Sequence, residues 1–226
     1  MEIEKDKKIA VLFGVENAVG SECLQLLLNH DAYGKVVVYA DPSFKRHHTR
    51  LQILPLQEVK NHTRTSISGH DLFFCTTGIF KSFSDGGDEA AAGLSLILPV
   101  AKKALAGGMN QFLVLSSSDA DPDAILPLAR MRGQMAQVLQ QMPFWAVHVF
   151  KSATILKKSL YNQEGERLGA FLRKNIAELT GDWLSNHVPV EAAAVAGAMV
   201  AAAQHIKQGF FVYDTPQIEK MSKGLT

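Results

Sequence analysis

Short apolar runs alternate with longer segments of helical character along this chain. The runs at residues 8–13, 35–40, 71–76, 111–116 and 144–150 are continuous and rich in Val, Leu and Phe, and a weaker one lies at 52–56. Such runs predict strands buried on both faces. Between them, helices are predicted over 19–30, 89–106 and 124–141. The second is ended by Gly107-Gly108 and the third carries Pro127 near its first turn. The final third changes character, with helices predicted at 168–179 and 190–206 and a short strand at 210–213. The alanine-rich run from Ala192 to Ala203 predicts a closely packed helix, since alanine is the best helix former and the smallest after glycine. This alternation predicts an α/β fold: a doubly wound parallel sheet with a small C-terminal helical extension. No repeat or long linker interrupts it. Residues 1–226 are read as one domain, with about 151–226 forming a smaller substrate-side subregion. Asp85-Gly86-Gly87-Asp88 is the best candidate for a mobile loop.

A hydrophobic fraction of 47% over 226 residues supplies a sizeable core. The 23 basic and 22 acidic residues leave a net charge of +1, which gives no general attraction to nucleic acid or membrane. The Lys45-Arg46-His47-His48 run is read as a solvated loop, with a phosphate contact as the alternative. Cys23 and Cys75 fall in a predicted helix and a predicted strand, so they are expected as buried thiols rather than a bridge. The histidines show no ligand spacing, so no metal site is expected. The charged N-terminus lacks the apolar core of a signal peptide, and no apolar stretch reaches spanning length. The expectation is a soluble, cytoplasmic protein.

The chemistry-bearing segment is Lys8-Ile-Ala-Val-Leu-Phe-Gly14-Val-Glu-Asn17-Ala-Val-Gly20, an apolar strand that runs into a glycine turn and then a helix. This is how a Rossmann fold begins a dinucleotide site. The first glycine makes the turn, a middle one admits the pyrophosphate, and the last lets the helix approach the strand. The N–H groups of Ala18, Val19 and Gly20 would open the helix toward an anion. Asn17 stands where the middle glycine is expected. Asn tolerates the left-handed backbone that such a turn can require, but its side chain occupies space. Glu16 adds an acidic group beside the proposed phosphates. A retained dinucleotide site and a scaffold whose loop no longer binds tightly both remain open.

Further anchors are Phe74-Cys75-Thr76-Thr77-Gly78, Phe112-Leu-Val-Leu-Ser-Ser-Ser118, Ala120-Asp121, Arg132-Gly133-Gln134, Gly165-Glu166-Arg167-Leu168 and Val188-Pro189-Val190-Glu191. In this order the chain resembles the atypical short-chain dehydrogenase/reductases, especially the Tat-interacting-protein-like oxidoreductases and their bacterial relatives. The resemblance implies a nicotinamide dinucleotide across the strand ends. Gly14 to Gly20 would hold its pyrophosphate, and Thr76, Thr77 and Gly78 would line its middle. Asp41, at the end of the second strand, would bond the adenosine ribose. An acidic group there favours NAD over NADP, although Asp41 could equally cap the turn into Pro42. Lys45 or Arg46 folded over a phosphate would reverse that preference.

The family also implies a serine after the fifth strand and a Tyr-x-x-x-Lys on the next helix, where the tyrosine exchanges a proton while the cofactor moves hydride. Ser116 to Ser118 keep the serine region, with Ser117 preferred. Leu128 and Arg132 stand at the tyrosine and lysine positions, and none of the four tyrosines is followed four residues later by lysine. Phe150-Lys151-Ser152-Ala153 also departs from the family's Arg-Pro-Gly. Lys151 is then a candidate at a strand end. His148, inside an apolar strand, is more simply a satisfied core residue. Lys81 is read as a solvated lysine and Trp145 and Trp183 as packing residues. The leading expectation is a dinucleotide-binding protein with weak or absent dehydrogenase activity, acting as a sensor or interaction partner. The alternatives are an active oxidoreductase or epimerase-like enzyme with a non-standard proton donor (Lys151, His148 or a water on Ser117), and a scaffold without nucleotide. A homodimer or another protein partner is compatible with either.

Overall fold

The computed structural model describes residues 7–60, 66–75, 89–152, 155–156 and 190–223, with backbone alone at 60, 89–94 and 155–156. The apolar runs form β1 (Lys8–Phe13), β2 (Tyr33–Ala40), β3 (Leu51–Pro55), β4 (Asp71–Phe74), β5 (Gln111–Ser117) and β6 (Ala146–Ser152). With β9 (Gly209–Tyr213) they make one sheet in the order β3-β2-β1-β4-β5-β6-β9, and every pairing is parallel. The chain runs outward from β1 to β3, returns, and continues on the other side from β4. That reversal opens a crevice at the C-terminal ends of β1 and β4, the usual ligand position in doubly wound sheets. Short β7 (Ile155–Leu156) and β8 (Val190–Glu191) pair separately.

Strand alternation divides the core into two apolar layers. Ala10, Leu12, Val38, Phe73, Leu113 and Phe150 pack under α1 (Ala18–Asn29) and α5 (Ala192–Ala202). Val11, Phe13, Phe74, Phe112, Val114 and Val149 face α3 (Glu89–Ala106) and α4 (Pro127–Gln140), while α2 (Gln57–Lys60) is a single turn after β3. Rings bridge three strands on this second face. Phe13 stacks on Tyr39 at 4.8 Å and on Phe74 at 5.4 Å between centroids. The small side chains of α5 let it lie against α1, as the alanine run predicts.

Several boundaries differ from expectation. Helix α4 starts at Pro127 rather than Ala124, because residues 121–124 form a turn in which Ala124 N–H bonds Asp121 O (3.2 Å) and proline suits the first helical position. The helix expected over 190–206 is shorter: Val190 and Glu191 enter a ladder, and turns follow Ala202. A last helix, α6 (Thr215–Lys223), was not anticipated. It opens with a capping box, in which Gln217 N–H donates to Asp214 Oδ1 (2.9 Å) and Asp214 N–H to Gln217 Oε1 (3.0 Å). The helix expected at 168–179, the loop at 85–88, Lys81 and Trp183 lie outside the described residues. No described helix is long and apolar enough to cross a membrane.

Polar residues at the strand starts tie the C-terminal segment to the sheet. Asp71, 1% exposed, accepts from Tyr33 Oη (2.6 Å), Gln111 Nε2 (2.9 Å) and Lys8 Nζ (3.1 Å). Burial and the Asp71 charge raise the Tyr33 hydroxyl well above its ordinary pKa, so it stays a donor. Lys8 Nζ and Gln111 Nε2 also donate to Ala203 O (2.8 and 3.0 Å), holding the end of α5. Gln111 Oε1 can only accept, so His148 Nε2 (3.2 Å away) carries the proton. His148 Nδ1 then accepts from Tyr213 Oη at 3.0 Å, which secures β9. His148 is thus bonded at both nitrogens and 1% exposed.

Burial, helped by the nearby His205, pushes the pKa of His148 from 6.5 down to about 4. Between those values the unfolded chain binds a proton that the folded chain refuses. Stability is therefore full above 6.5 and falls as pH drops toward 4, by at most about 3 kcal/mol. His148→Gln keeps one donor and one acceptor but does not titrate. Its denaturation midpoint is expected to fall less steeply across that window than the wild type's. Identical slopes would exclude His148 as the source.

Candidate functional site

The crevice is built around two glycines. Gly14 leaves β1 with φ of +88°, a conformation that disfavours side chains. Gly20 lies so close to the turn that an added Cβ would overlap the Gly14 carbonyl. These are the first and last roles the sequence assigns to the motif. Asn17 departs from expectation. Its φ of −93° and ψ of 170° are extended, so tolerance of the left-handed region is not what it contributes. It is the N-cap of α1: its Oδ1 accepts from Gly20 N–H at 2.6 Å, and its Nδ2 approaches Cys75 O at 3.5 Å. One of the N–H groups that open α1 is thus satisfied internally. Those of Ala18 and Val19 have no acceptor among the described residues.

At the end of β2 two acidic residues meet. Glu16 turns away from the helix N-terminus, and its Oε1 accepts from Asp41 N–H at 3.0 Å. The Asp41 carboxylate caps the turn into Pro42 by accepting from Ser43 N–H at 2.9 Å. Bonds from Ser43 hold the Asp41 carboxyl below its usual pKa, so it is ionised at neutral pH. Of the two roles weighed for Asp41, the turn cap is the one the structure contains; its carboxylate stands at the strand end, half-buried. Arg46 reaches back to Gln25 Oε1 on α1 (3.1 Å), and Lys45 is exposed. Cys23 and Cys75 are free and buried side by side, and the hydrogen bond that the Cys23 thiol gives to Cys75, with burial, raises the Cys23 thiol pKa. Thr76, Thr77 and Gly78 lie outside the described residues.

The remaining candidates cluster at the ends of β5 and β6 but on different faces. The register pairs Ser116 with Lys151 and Ser117 with Ser152. Leu113, Leu115 and Phe150 face α1 and α5, whereas Val114, Val147 and Val149 face α3 and α4. Alternation therefore gives Ser117 to the first face, with Ser152, and Lys151 to the second, with Ser116. Ser117 and Lys151 are not brought together. Arg132, on α4, points its guanidinium at Asp119, with Nη1 3.5 Å from Oδ1. Gly133 lets α4 touch the 121–122 backbone, where a Cβ would overlap Pro122 N. Leu128 packs into the apolar layer under α4. The Glu16–Asp41 and Arg132–Asp119 contacts were not legible in the sequence, since each joins loops whose approach depends on the assembled sheet. No group of three or more metal-ligating side chains occurs among the described residues.

Comparison with known proteins accords with this geometry. No protein-family model matches the chain. Protein HTATIP2 of Rattus norvegicus is 21% identical over 197 residues, covering 84% of this chain and 79% of that protein. A short chain dehydrogenase family protein from Francisella tularensis superposes with a TM-score of 0.55 at 14% identity, covering 93% of this chain and 98% of the other. The Bordetella bronchiseptica enzyme WbmG, solved in complex with NAD, gives 0.60 at 11% identity, covering 99% and 78%. The two solved structures share the Rossmann-like α/β fold with this chain, and Protein HTATIP2 is a distant sequence relative of it.

The Gly20–Gly14 approach predicts a steric penalty. Gly20→Ala is expected to cost about 3 kcal/mol through overpacking against backbone that cannot move aside. Thermal denaturation would show this as a midpoint lowered by roughly 10 °C. An unchanged midpoint would mean that α1 is free to shift away from the turn.

Proposed function

We propose that this chain binds a nicotinamide dinucleotide on the β1–α1 turn and carries weak or no dehydrogenase activity, so that it reports or transmits cofactor state. The observation that carries this reading is the turn itself. Gly14 and Gly20 form the cradle, and the N–H groups of Ala18 and Val19, without an acceptor among the described residues, would receive a pyrophosphate. That WbmG holds NAD on the same fold supports the choice of ligand class. When bound, the dinucleotide would supply hydride chemistry.

The chain's own residues argue for little turnover. A short-chain reductase needs a proton donor beside the carbonyl or alcohol oxygen, and Leu128 offers none. Arg132 stays charged at working pH and is directed to Asp119. Ser117 and Lys151, the other candidates, occupy opposite faces of the sheet ends. Asp41 is ionised and Glu16 is anchored beside it, so a 2′-phosphate would meet two acidic groups. This supports NAD(H) over NADP(H). The Asn17 cap favours a second reading, a scaffold that has lost its ligand, because the cap satisfies an N–H a phosphate would use.

Calorimetric titration separates the two readings. NADH is expected to bind the native protein, and NADPH at least about tenfold more weakly, the effect of one unfavourable charged contact. No heat with either cofactor would favour the scaffold, and a preference for NADPH would overturn the role given to Glu16 and Asp41. Asn17→Gly removes the cap, which by itself costs only a few tenths of a kcal/mol, together with the contact to Cys75 O. It frees the Gly20 N–H and is expected to tighten NADH binding about tenfold. Weaker binding by this variant would show that the Asn17 amide itself contacts the cofactor.

A further inference from the structure

A second cavity lies at the opposite end of the sheet from the crevice. Its volume is about 340 Å³, near the lower end of the roughly 300–1,000 Å³ typical of small-molecule sites. It is lined by the N-terminal ends of β1, β4 and β5 and by the loop after α5, with Lys8, His70, Asp71, Gln111, Trp145 and Ile206 contributing its main side chains. Gly14, Cys75 and Asp41 all stand at the other ends of their strands. The cavity therefore shares nothing with the proposed dinucleotide site.

The lining groups decide what could bind. Asp71 is closed to a cationic ligand: Gln111 holds its Oδ1, Lys8 and Tyr33 hold its Oδ2, and it is 1% exposed. The spare capacity consists of donors. Lys8 Nζ has three protons and gives two, to Asp71 and Ala203 O, which leaves one. Its side chain is 32% exposed and lines the cavity. His70 accepts Ile9 N–H on Nδ1 at 2.9 Å, so in its neutral form the proton sits on Nε2, which has no acceptor among the described residues. The apolar contribution comes from the Trp145 indole and from Ile206, a residue 92% exposed beside the cavity. A large apolar side chain left in water, next to a ring and unsatisfied donors, is an arrangement that a ligand with a flat apolar body completes.

We infer that this cavity binds a small aromatic carboxylate, its carboxylate received by Lys8 Nζ and His70 Nε2 and its ring by Trp145 and Ile206. Because Lys8 and Asp71 offset one another in charge, recognition rests on directed hydrogen bonds and apolar contact, and binding is modest in strength. A bound ligand would touch residues 203–206 between α5 and β9, and would stiffen the segment that the Asp71 network ties to the sheet.

Benzoate is the test probe, with benzamide as its uncharged counterpart, followed through the 1H–15N resonances of the full chain. The expected result is saturable shifts at His70, Asp71, Gln111, the Trp145 indole N–H and residues 203–206, with benzamide clearly weaker. The shifts should persist when NADH is present, because the two sites are separate. Ile206→Asp changes an exposed side chain and leaves the core intact. It removes the apolar contact and sets a like charge beside the site, so it should weaken benzoate by at least about threefold, while Ile206→Lys, which keeps an aliphatic stem and carries the opposite charge, should weaken it less. No shifts at these residues, shifts confined to the strand C-terminal ends, or equal response to benzamide would each overturn the inference.

Discussion

The close approach of Gly20 to the Gly14 carbonyl is the constraint on which the candidate site depends. Only hydrogen fits between the two backbones. Helix α1 therefore begins flush against the end of β1, and its opening N–H groups face the crevice where the strand order reverses. The positive φ of Gly14 makes the turn sharp enough for this approach. Against this fixed backbone Asn17 supplies a neutral cap where a phosphate-binding turn would leave room and an open donor. The turn keeps its architecture, and the Asn17 side chain occupies an N–H that a bound phosphate would use.

The two ends of the sheet do different work. At the C-terminal ends loops meet through exposed or half-buried polar contacts, such as Glu16 with Asp41 and Arg132 with Asp119. Exposed contacts of this kind are individually weak and open easily, which suits a surface that admits ligands. At the N-terminal ends Asp71 gathers three donors in a buried network that reaches Ala203 and, through Gln111 and His148, Tyr213. Breaking one such bond leaves a buried polar group unsatisfied, so the network resists disturbance. It holds the last strand in place without any contribution from the crevice.

Much of the fold was legible because the strands announce themselves. Lys8–Phe13 and Glu89–Ala106 fall where the apolar pattern puts them, and the other main-sheet strands shift by one or two residues at either end. Errors gathered where propensity competes with local bonding. Ala124 looks helical but sits in a turn ahead of Pro127, and alanine content alone cannot show that Val190 and Glu191 pair with β7. The capping box of α6, Asp214 to Gln217, could have been read from the sequence. The site was less legible. Gly14 and Gly20 act as their spacing suggests, but a residue type does not specify a rotamer, so the capping role of Asn17 had to be seen. Asp71 and Gln111 each open an apolar strand with a polar residue. Their partners lie far away in the chain, and only the assembled sheet brings them together.

The most direct test of the account is a 1H–15N titration of the native protein with NADH, following the backbone amides of the β1–α1 turn. The account predicts the largest changes at Gly14, Ala18 and Val19, with Asp41 responding at the ribose end and Gly20 changing less because Asn17 already occupies its N–H. Unperturbed resonances at Gly14, Ala18 and Val19 under saturating NADH would contradict it.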